Sequence, residues 1–227
     1  MATIAFENET YQGADVSDAE KSLLLNQLYL NIVGESAVLL RLLRDNENRI
    51  LAALSVAKDK LKVGFSGMYA GDGELGVRLI RPCDILRSTS ATETPVNDWE
   101  VTFTAGANGW VGYGSSNGTA INIDRRIGTI LLLGLELTSG ASPVVEDWYP
   151  QLGGTTYPIQ VVRHMWMADN QNLARIARIR PLMMYQGQTA YIQVRTRAAG
   201  VNQLVPLGLT FARGDYLRLL APTTVLV

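Results

Sequence analysis

One short segment of the chain has the spacing of a serine hydrolase nucleophile. Residues 114–118 read G-S-S-N-G and match the G-x-S-x-G motif, with Ser116 at the nucleophile position and His164 further along the chain. A nucleophile elbow joins a strand to a helix, whereas residues 119–123 alternate as a strand does. A turn between strands is the better interpretation, so we expect Ser116→Ala and His164→Ala to leave the activity of the protein intact.

A second segment has the pattern of a dinucleotide-binding loop. Residues 71–76 read G-D-G-E-L-G, and such a loop binds pyrophosphate where it opens a helix. Here the residues that follow alternate like a strand and end at Pro82, and Asp72 and Glu74 would repel phosphate. We interpret the segment as a glycine-rich hairpin turn.

The remaining chemistry-bearing residues are few. His164 is the only histidine and Cys83 the only cysteine, so the sequence offers neither a two-histidine metal site nor a thiolate cluster. Two carboxylate pairs have the residue types of a glycosidase site, but acids this close in sequence are also common at sheet rims. These pairs are Asp98 with Glu100 and Glu146 with Asp147. We therefore predict a protein that is not an enzyme and that uses no metal or cofactor.

Composition limits the class of protein further. The 227 residues are 47% hydrophobic, which excludes disorder and supports a core that needs no disulfide. The chain has 20 basic and 21 acidic residues, and a net charge this close to zero argues against nucleic acid as the main partner. Residues 22–34 form an apolar stretch without charge that is too short and too polar for a membrane span. The first 20 residues carry five acids and no base, unlike a signal peptide.

The N-terminal part is predicted to be helical. Ser17 and Glu20 have the spacing of a capping box, and leucines follow at four-residue intervals. A second helical pattern runs over residues 36–62 with Asn46 in its apolar seam. An ordinary helical hairpin is favoured over a coiled coil whose register Asn46 would fix.

Beyond residue 62 the pattern changes to short alternating runs between glycines, which is typical of antiparallel strands. Strands are predicted at residues 99–104, 129–137, 158–166, 174–182, 189–196, 204–211 and 216–220. Hairpin turns are predicted around Gly187 and Gly214. The predicted core of the sheets comprises Val101, Phe103, Leu131, Leu133, Val161, Ile179, Ile192, Val194, Leu209 and Phe211.

The predicted fold class is mainly β with N-terminal helices (α+β), built around an antiparallel β-sandwich or jelly-roll-like domain. Four segments are expected: residues 1–16 as an N-terminal arm, 17–62 as a helical segment, 63–97 as a connection and 98–227 as the β-sandwich domain.

Charge is distributed unevenly along the chain. Residues 63–162 contain 5 bases and 10 acids, whereas residues 163–227 contain 8 bases, all arginine, and 2 acids. Arginine suits fixed, partly desolvated contacts with carboxylates or phosphates. We predict contacts with the acidic region of a neighbouring subunit, although phosphate contacts and solvated charges remain open. The predicted interface residues are Arg178, Arg180, Arg195 and Arg197 together with Val225, Leu226 and Val227 of the uncharged tail. Alanine at Arg195 and Arg197 should reduce assembly, and alanine at Lys58 and Lys60, on a solvated helix face, should not.

In its general pattern the chain resembles the jelly-roll structural proteins of viruses and bacteriophages. The resemblance is carried by the strand series over residues 99–220, by turn-rich connections such as 141–156 and by the uncharged tail 221–227. It implies a capsid, decoration or other structural protein of the virion, one that forms homo-oligomers and contacts other virion proteins.

The alternative is a carbohydrate- or receptor-binding β-sandwich such as a phage tail-tip adhesin, trimerised by its N-terminal helices. Aromatic rings clustered on an exposed rim would favour this alternative, and their burial would favour the shell protein. The candidate rings are Trp99, Trp110, Tyr113, Trp148, Tyr149 and Tyr157.

Overall fold

The computed structural model describes residues 2–7, 9–32, 37–85, 100–103, 109–112, 121, 123–139, 145–162, 175–196 and 200–219. Strands predominate in these residues, and the longer helices lie in the N-terminal third. The predicted class, mainly β with N-terminal helices, is confirmed.

The helices are α1 (Asp18–Ile32), α2 (Ala37–Arg44), α3 (Glu47–Leu61), α4 (Pro82–Ile85) and α5 (Gly214–Leu217). The strands are β1 (Ala2–Phe6), β2 (Glu9–Gly13), β3 (Phe65–Gly67), β4 (Leu75–Leu79), β5 (Glu100–Phe103), β6 (Gly109–Gly112), β7 (Ile127–Ser139), β8 (Val145–Leu152), β9 (Thr155–Thr156), β10 (Gln160–Val161), β11 (Arg175–Tyr185), β12 (Ala190–Thr196) and β13 (Gly200–Arg213).

The N-terminal residues form a hairpin of β1 and β2 that packs on α3, rather than the turn-rich arm expected from the sequence. Phe6 and Tyr11 are buried because alternate residues of the hairpin face the helix. Beyond β2, the Ala14 amide donates to the Ser55 carbonyl at 3.0 Å, and the Ser55 hydroxyl donates to the Ala14 carbonyl at 2.5 Å. The hairpin is therefore a fixed part of the body.

Local hydrogen bonds explain where α1 begins and where α2 ends. The predicted capping box is confirmed: the Ser17 amide donates to the Glu20 carboxylate at 2.8 Å, and the Glu20 amide donates to Ser17 Oγ at 3.2 Å. The helical pattern over residues 36–62 corresponds to two helices, α2 and α3, because the chain turns at Asn46 after the end of α2. Its side-chain amide donates to the Leu42 carbonyl at 2.8 Å, so it satisfies a helix end instead of fixing a coiled-coil register.

Two sheets stack in the molecule. The six-stranded sheet has the order β11-β7-β13-β4-β3, with β5 also paired to β13, and the five-stranded sheet has the order β10-β8-β12-β6, with β9 paired to β8. Among the strand pairs described, β3–β4 is parallel and the others are antiparallel.

The six-stranded sheet is the middle of three layers. Leu131 and Leu133 of β7 pack with the helices, whereas Ile130 and Leu132 pack toward the five-stranded sheet. The prediction of a strand covered on both faces at residues 129–137 is therefore confirmed where side chains are described, up to Glu136. At Gly128 an added Cβ would lie 2.8 Å from Cα of Ala57, so glycine allows α3 to approach the sheet closely.

Most of the predicted core is buried, and one member is wrong. Leu131, Leu133, Ile179, Ile192, Val194, Leu209 and Phe211 are each 5% exposed or less. Val161 is 53% exposed because it lies on the short edge strand β10, opposite Asp147, on the outward side of the sheet. The side chains of Val101 and Phe103 lie outside the described set.

Three predicted connections differ from hairpins. The turn at Gly187, where φ is +79°, joins β11 of one sheet to β12 of the other. Gly214 opens α5, and the strand predicted at residues 216–220 is absent from its described part because Tyr216 and Leu217 anchor a helical turn instead. The glycine-rich segment 71–76 connects the parallel strands β3 and β4, and its last residues form β4 rather than a helix.

The predicted segments share one body in the structure. The connection at residues 63–97 contributes β3 and β4 to the six-stranded sheet. Leu24 and Leu54 of the helices lie in the same hydrophobic cluster as Leu209 and Phe211 of β13. Helices and sheet consequently stabilise each other.

Candidate functional site

Arg178 and Arg180 lie on the same side of β11, as the sequence predicts, and both meet acids of the N-terminal layer of their own chain. Arg178 Nη1 is 2.9 Å from Asp45 Oδ2, and Arg180 Nε is 3.1 Å from Glu7 Oε2. Arg49 of α3 also pairs with Glu7, at 2.8 Å. These ion pairs tie the hairpin and the helices to the edge of the six-stranded sheet. We call this set the helix-side ion pairs.

Glu7 is the centre of the helix-side ion pairs. Burial alone would raise its pKa, but hydrogen bonds and positive charge from Arg49 and Arg180 outweigh burial and hold the pKa below 4.5. The carboxylate is therefore ionised over the neutral pH range, and the ion pairs persist there.

Lys58 of α3 is engaged as well, contrary to the prediction of a solvated face, whereas Lys60 is exposed as predicted. Lys58 Nζ donates to Glu20 at 2.7 Å and to the Asp15 carbonyl at 2.7 Å, and its side chain is 14% exposed. Lys60 Nζ lies 4.3 Å from the centre of the Tyr185 ring. Substitution of Lys58 should therefore cost stability.

Arg195 lies on the other side of the molecule and is held differently. It pairs with Asp147 and lies 3.9 Å from Glu146. Asp147 is 3% exposed, and within the described part of the chain neither its Oδ1 nor Nε of Arg195 has a hydrogen-bond partner.

The predicted subunit interface is untested as a whole, and part of it is not described. Arg197 and Val225, Leu226 and Val227 lie outside the described residues. The subunit contact predicted for the arginines and the tail stays a prediction, although each arginine described here has an acid within its own chain.

The outward side of the five-stranded sheet carries aromatic and amide side chains. Ile192 and Val194 point into the core between the sheets, so the residues that alternate with them on β12 point outward. Cross-strand register places Tyr191 opposite Gln151 and Gln193 opposite Tyr149. We call this surface the outer-sheet face, defined by Trp110, Tyr149, Gln151, Tyr191, Gln193 and Arg195.

Within the outer-sheet face the contacts are specific. Trp110 and Tyr149 have ring centres 5.4 Å apart and planes inclined by 51°. The Gln151 side-chain amide donates to the Tyr149 hydroxyl at 3.1 Å. All six side chains are partly exposed.

Among the described aromatic residues that the sequence singled out, Trp110 and Tyr149 are brought together on the outer-sheet face. Trp148 is fully buried between the sheets, and Tyr157 is partly buried. Trp99 and Tyr113 lie outside the described residues. Tyr191 was not predicted, although the alternation Y-I-Q-V-R at residues 191–195 was a signal for it.

A buried ionic cluster lies where β4, α4 and α5 meet. Asp84 is inaccessible to solvent and pairs with Arg78 through two bonds of 2.7 and 2.8 Å. Thr210 Oγ1 donates to Asp84 at 2.7 Å, and the Tyr216 hydroxyl donates to it at 2.9 Å. The sequence offered no signal for this cluster, which holds the short helices against the sheet.

The serine hydrolase motif lies outside the part of the chain that the structure describes. Ser116 and His164 lie outside the described residues, as does Asp98 of one carboxylate pair. Asp124, the acid nearest the motif, is ion-paired with Arg126 at 2.9 Å.

Large apolar side chains are exposed beside α1. Leu30 is 79% and Tyr69 is 85% exposed, and Leu23, seven residues before Leu30 on the same side of α1, is 36% exposed. The Met68 amide donates to Gln27 Oε1 at 2.7 Å, which places Tyr69 beside the helix. We call Leu23, Leu30 and Tyr69 the α1 surface.

The chain matches no protein-family model, and no curated protein matches it. None of the helices in the described part of the chain has the length and apolar character needed to cross a membrane. Function is therefore inferred from the geometry.

Proposed function

We propose that the chain is a non-enzymatic structural subunit that acts by self-assembly, of the kind that builds viral and phage particles as a capsid, decoration or other virion protein. The proposed location is the virion, and the proposed partners are copies of this chain and other virion proteins. The two stacked, mainly antiparallel sheets are compatible with a β-sandwich, and the finer jelly-roll arrangement forms part of the proposal.

The observation that carries the proposal is the exposed α1 surface. Large apolar side chains gathered on one surface are typical of protein–protein contacts. Burial of a leucine or an aromatic side chain contributes about 1.5–3 kcal/mol, so a few such residues supply useful association energy.

A second copy of the same chain is the occupant we favour. The charged residues of α1 are already paired within the chain, Asp18 with Lys21 and Glu20 with Lys58, so an apolar contact can form there without leaving a charge unpaired. Two identical α1 surfaces can meet across a two-fold axis, because each presents the same leucines to the other.

Sedimentation velocity of the full chain over a range of concentrations tests the proposal. We expect concentration-dependent oligomers for the wild type and mainly monomers for Leu30→Glu and Tyr69→Glu. Ile159→Glu is the matched control, because Ile159 is 53% exposed but lies away from α1 in the chain's fold, before β10. A monomeric wild type, or charge substitutions on α1 without effect, would contradict the proposal.

A carbohydrate- or receptor-binding function is a second candidate, favoured by one observation: the pairing of Trp110 and Tyr149 on the outer-sheet face. Rings presented side by side on a sheet suit ligand contact rather than core packing. This candidate is compatible with assembly through α1, since the two surfaces use different residues.

A further inference from the structure

We propose that the outer-sheet face binds a neutral oligosaccharide. This inference rests on the second candidate function above and names its site and its ligand class. The site is built on neighbouring strands β6, β8 and β12, so its side chains are positioned by sheet register rather than by a loop.

The aromatic residues supply the apolar part of the site. A sugar ring has a face of C–H groups that packs against an aromatic ring, and tyrosine and tryptophan also offer a polar edge. The ring planes of Trp110 and Tyr149 are inclined by 51° and the ring centres are 5.4 Å apart, so the two rings are tilted and not stacked face to face. Tyr191 extends the same side of the sheet beyond Gln151, its cross-strand partner.

The amides supply the polar part. An amide side chain offers both a donor and an acceptor, which matches the two roles of sugar hydroxyls. Gln151 uses one N–H to orient the Tyr149 hydroxyl at 3.1 Å, and Gln193 lies directly opposite Tyr149. Gly112, opposite Gln193, adds no side chain at the edge of the face.

The local charge selects a neutral ligand. The positive charge of Arg195 is offset by Asp147 and by Glu146 at 3.9 Å. The described part of the face consequently offers no surplus positive charge for a sulfated sugar or a nucleic-acid backbone. Stacking and amide contacts remain, and these suit uncharged hydroxylated rings.

Isothermal titration of the full chain tests the proposal. The probes are neutral hexasaccharides of glucose (cellohexaose and maltohexaose), N-acetylglucosamine, mannose and galactose, with a heparin hexasaccharide as the anionic comparison. We expect at least one neutral probe to bind with a Kd below about 1 mM, the weak end of specific affinities. Binding of none of them, or tighter binding of the heparin probe, would overturn the proposal.

Substitutions locate the binding. Trp110→Ala and Gln193→Ala should each weaken binding about tenfold or more, because a truncated contact at the centre of a site costs most of its affinity. Trp110→Phe should retain binding in part, which separates loss of stacking from loss of folding. Unchanged affinity in Trp110→Ala and Gln193→Ala would contradict the assigned site.

Failure of this inference is distinguishable from failure of the assembly proposal. Tyr69→Ala is the matched aromatic control, since Tyr69 is 85% exposed and lies outside the outer-sheet face. It should bind sugar like the wild type while its sedimentation changes, and Trp110→Ala should show the reverse. Loss of sugar binding in Tyr69→Ala would overturn the site assigned here.

Discussion

The helix-side ion pairs and the outer-sheet face use arginine in opposite ways. Arg180 meets Glu7 of the N-terminal hairpin, so its charge joins two layers of one chain. Arg195 faces away from the other sheet and pairs with Asp147 of the neighbouring strand β8. Arginine thus joins two layers on the helix side of the molecule and two strands of one sheet on the other side.

The aromatic residues follow the same division. Tyr11 and Tyr185 make an edge-to-face contact at 5.8 Å on the helix side, and Lys60 covers the Tyr185 ring. Trp110 and Tyr149 contact each other on the outer-sheet face with both side chains partly exposed. Helix-side and buried substitutions should therefore change stability, and outer-sheet substitutions should change binding.

The largest effect is expected where charge is most deeply buried. Asp84→Asn should lower the free energy of unfolding by about 3–5 kcal/mol, because it leaves the Arg78 charge without its partner. Urea denaturation measures the loss. Asp72→Asn is the control: Asp72 is 78% exposed, and its pair with Arg218 should contribute less than about 1 kcal/mol. Equal losses of unfolding free energy in the two variants would show that burial does not determine how much these ion pairs contribute.

A smaller and pH-dependent effect is expected at Glu7. Glu7→Gln should cost about 1.5–3 kcal/mol at pH 7, because two charge-assisted hydrogen bonds are weakened. The pKa of Glu7 is lowered in the folded state, so its stabilising contribution is present above the unfolded pKa, near 4.5, and is lost as the pH falls through the folded pKa.

The measurement for Glu7 is the free energy of unfolding at several pH values between 7 and 3 for both proteins. The difference between wild type and Glu7→Gln should shrink as the pH falls. A difference that stays constant would show that Glu7 acts through packing rather than through charge.

The smallest effect, with the opposite sign, is expected at Glu136 of β7. Burial raises the pKa of this carboxyl, so ionisation at neutral pH costs folding stability. A raised folded pKa means that stability falls as the pH rises through the unfolded pKa toward the folded one. Glu136→Gln should therefore be slightly more stable than the wild type at pH 7 by thermal unfolding, with the gain disappearing at pH 4.

Some of this organisation was predictable from the sequence because it depends on near neighbours. The capping box at Ser17, the two-faced strand around Leu131 and the shared side of Arg178 and Arg180 follow from local spacing. The break at Asn46 also has a local cause, but the helical pattern continues across it.

The partners of the charged residues were not predictable, since they depend on which layers meet. Arg180 and Glu7 are 173 residues apart, and Thr210 and Asp84 are 126 apart. The strand predicted at residues 216–220 failed for a related reason: Tyr216 is held in a helical turn by its contact with the distant Asp84. Tertiary packing outweighed the strand propensity of these residues.

The comparison between the two surfaces depends on the helix-side arginines acting within one chain. The most direct test is the double variant Arg178→Ala/Arg180→Ala, studied by sedimentation velocity and by urea denaturation of the same sample. The expected result is an oligomer distribution like that of the wild type, with a free energy of unfolding lower by about 1–3 kcal/mol. Lost assembly with unchanged unfolding would show that these arginines join subunits instead.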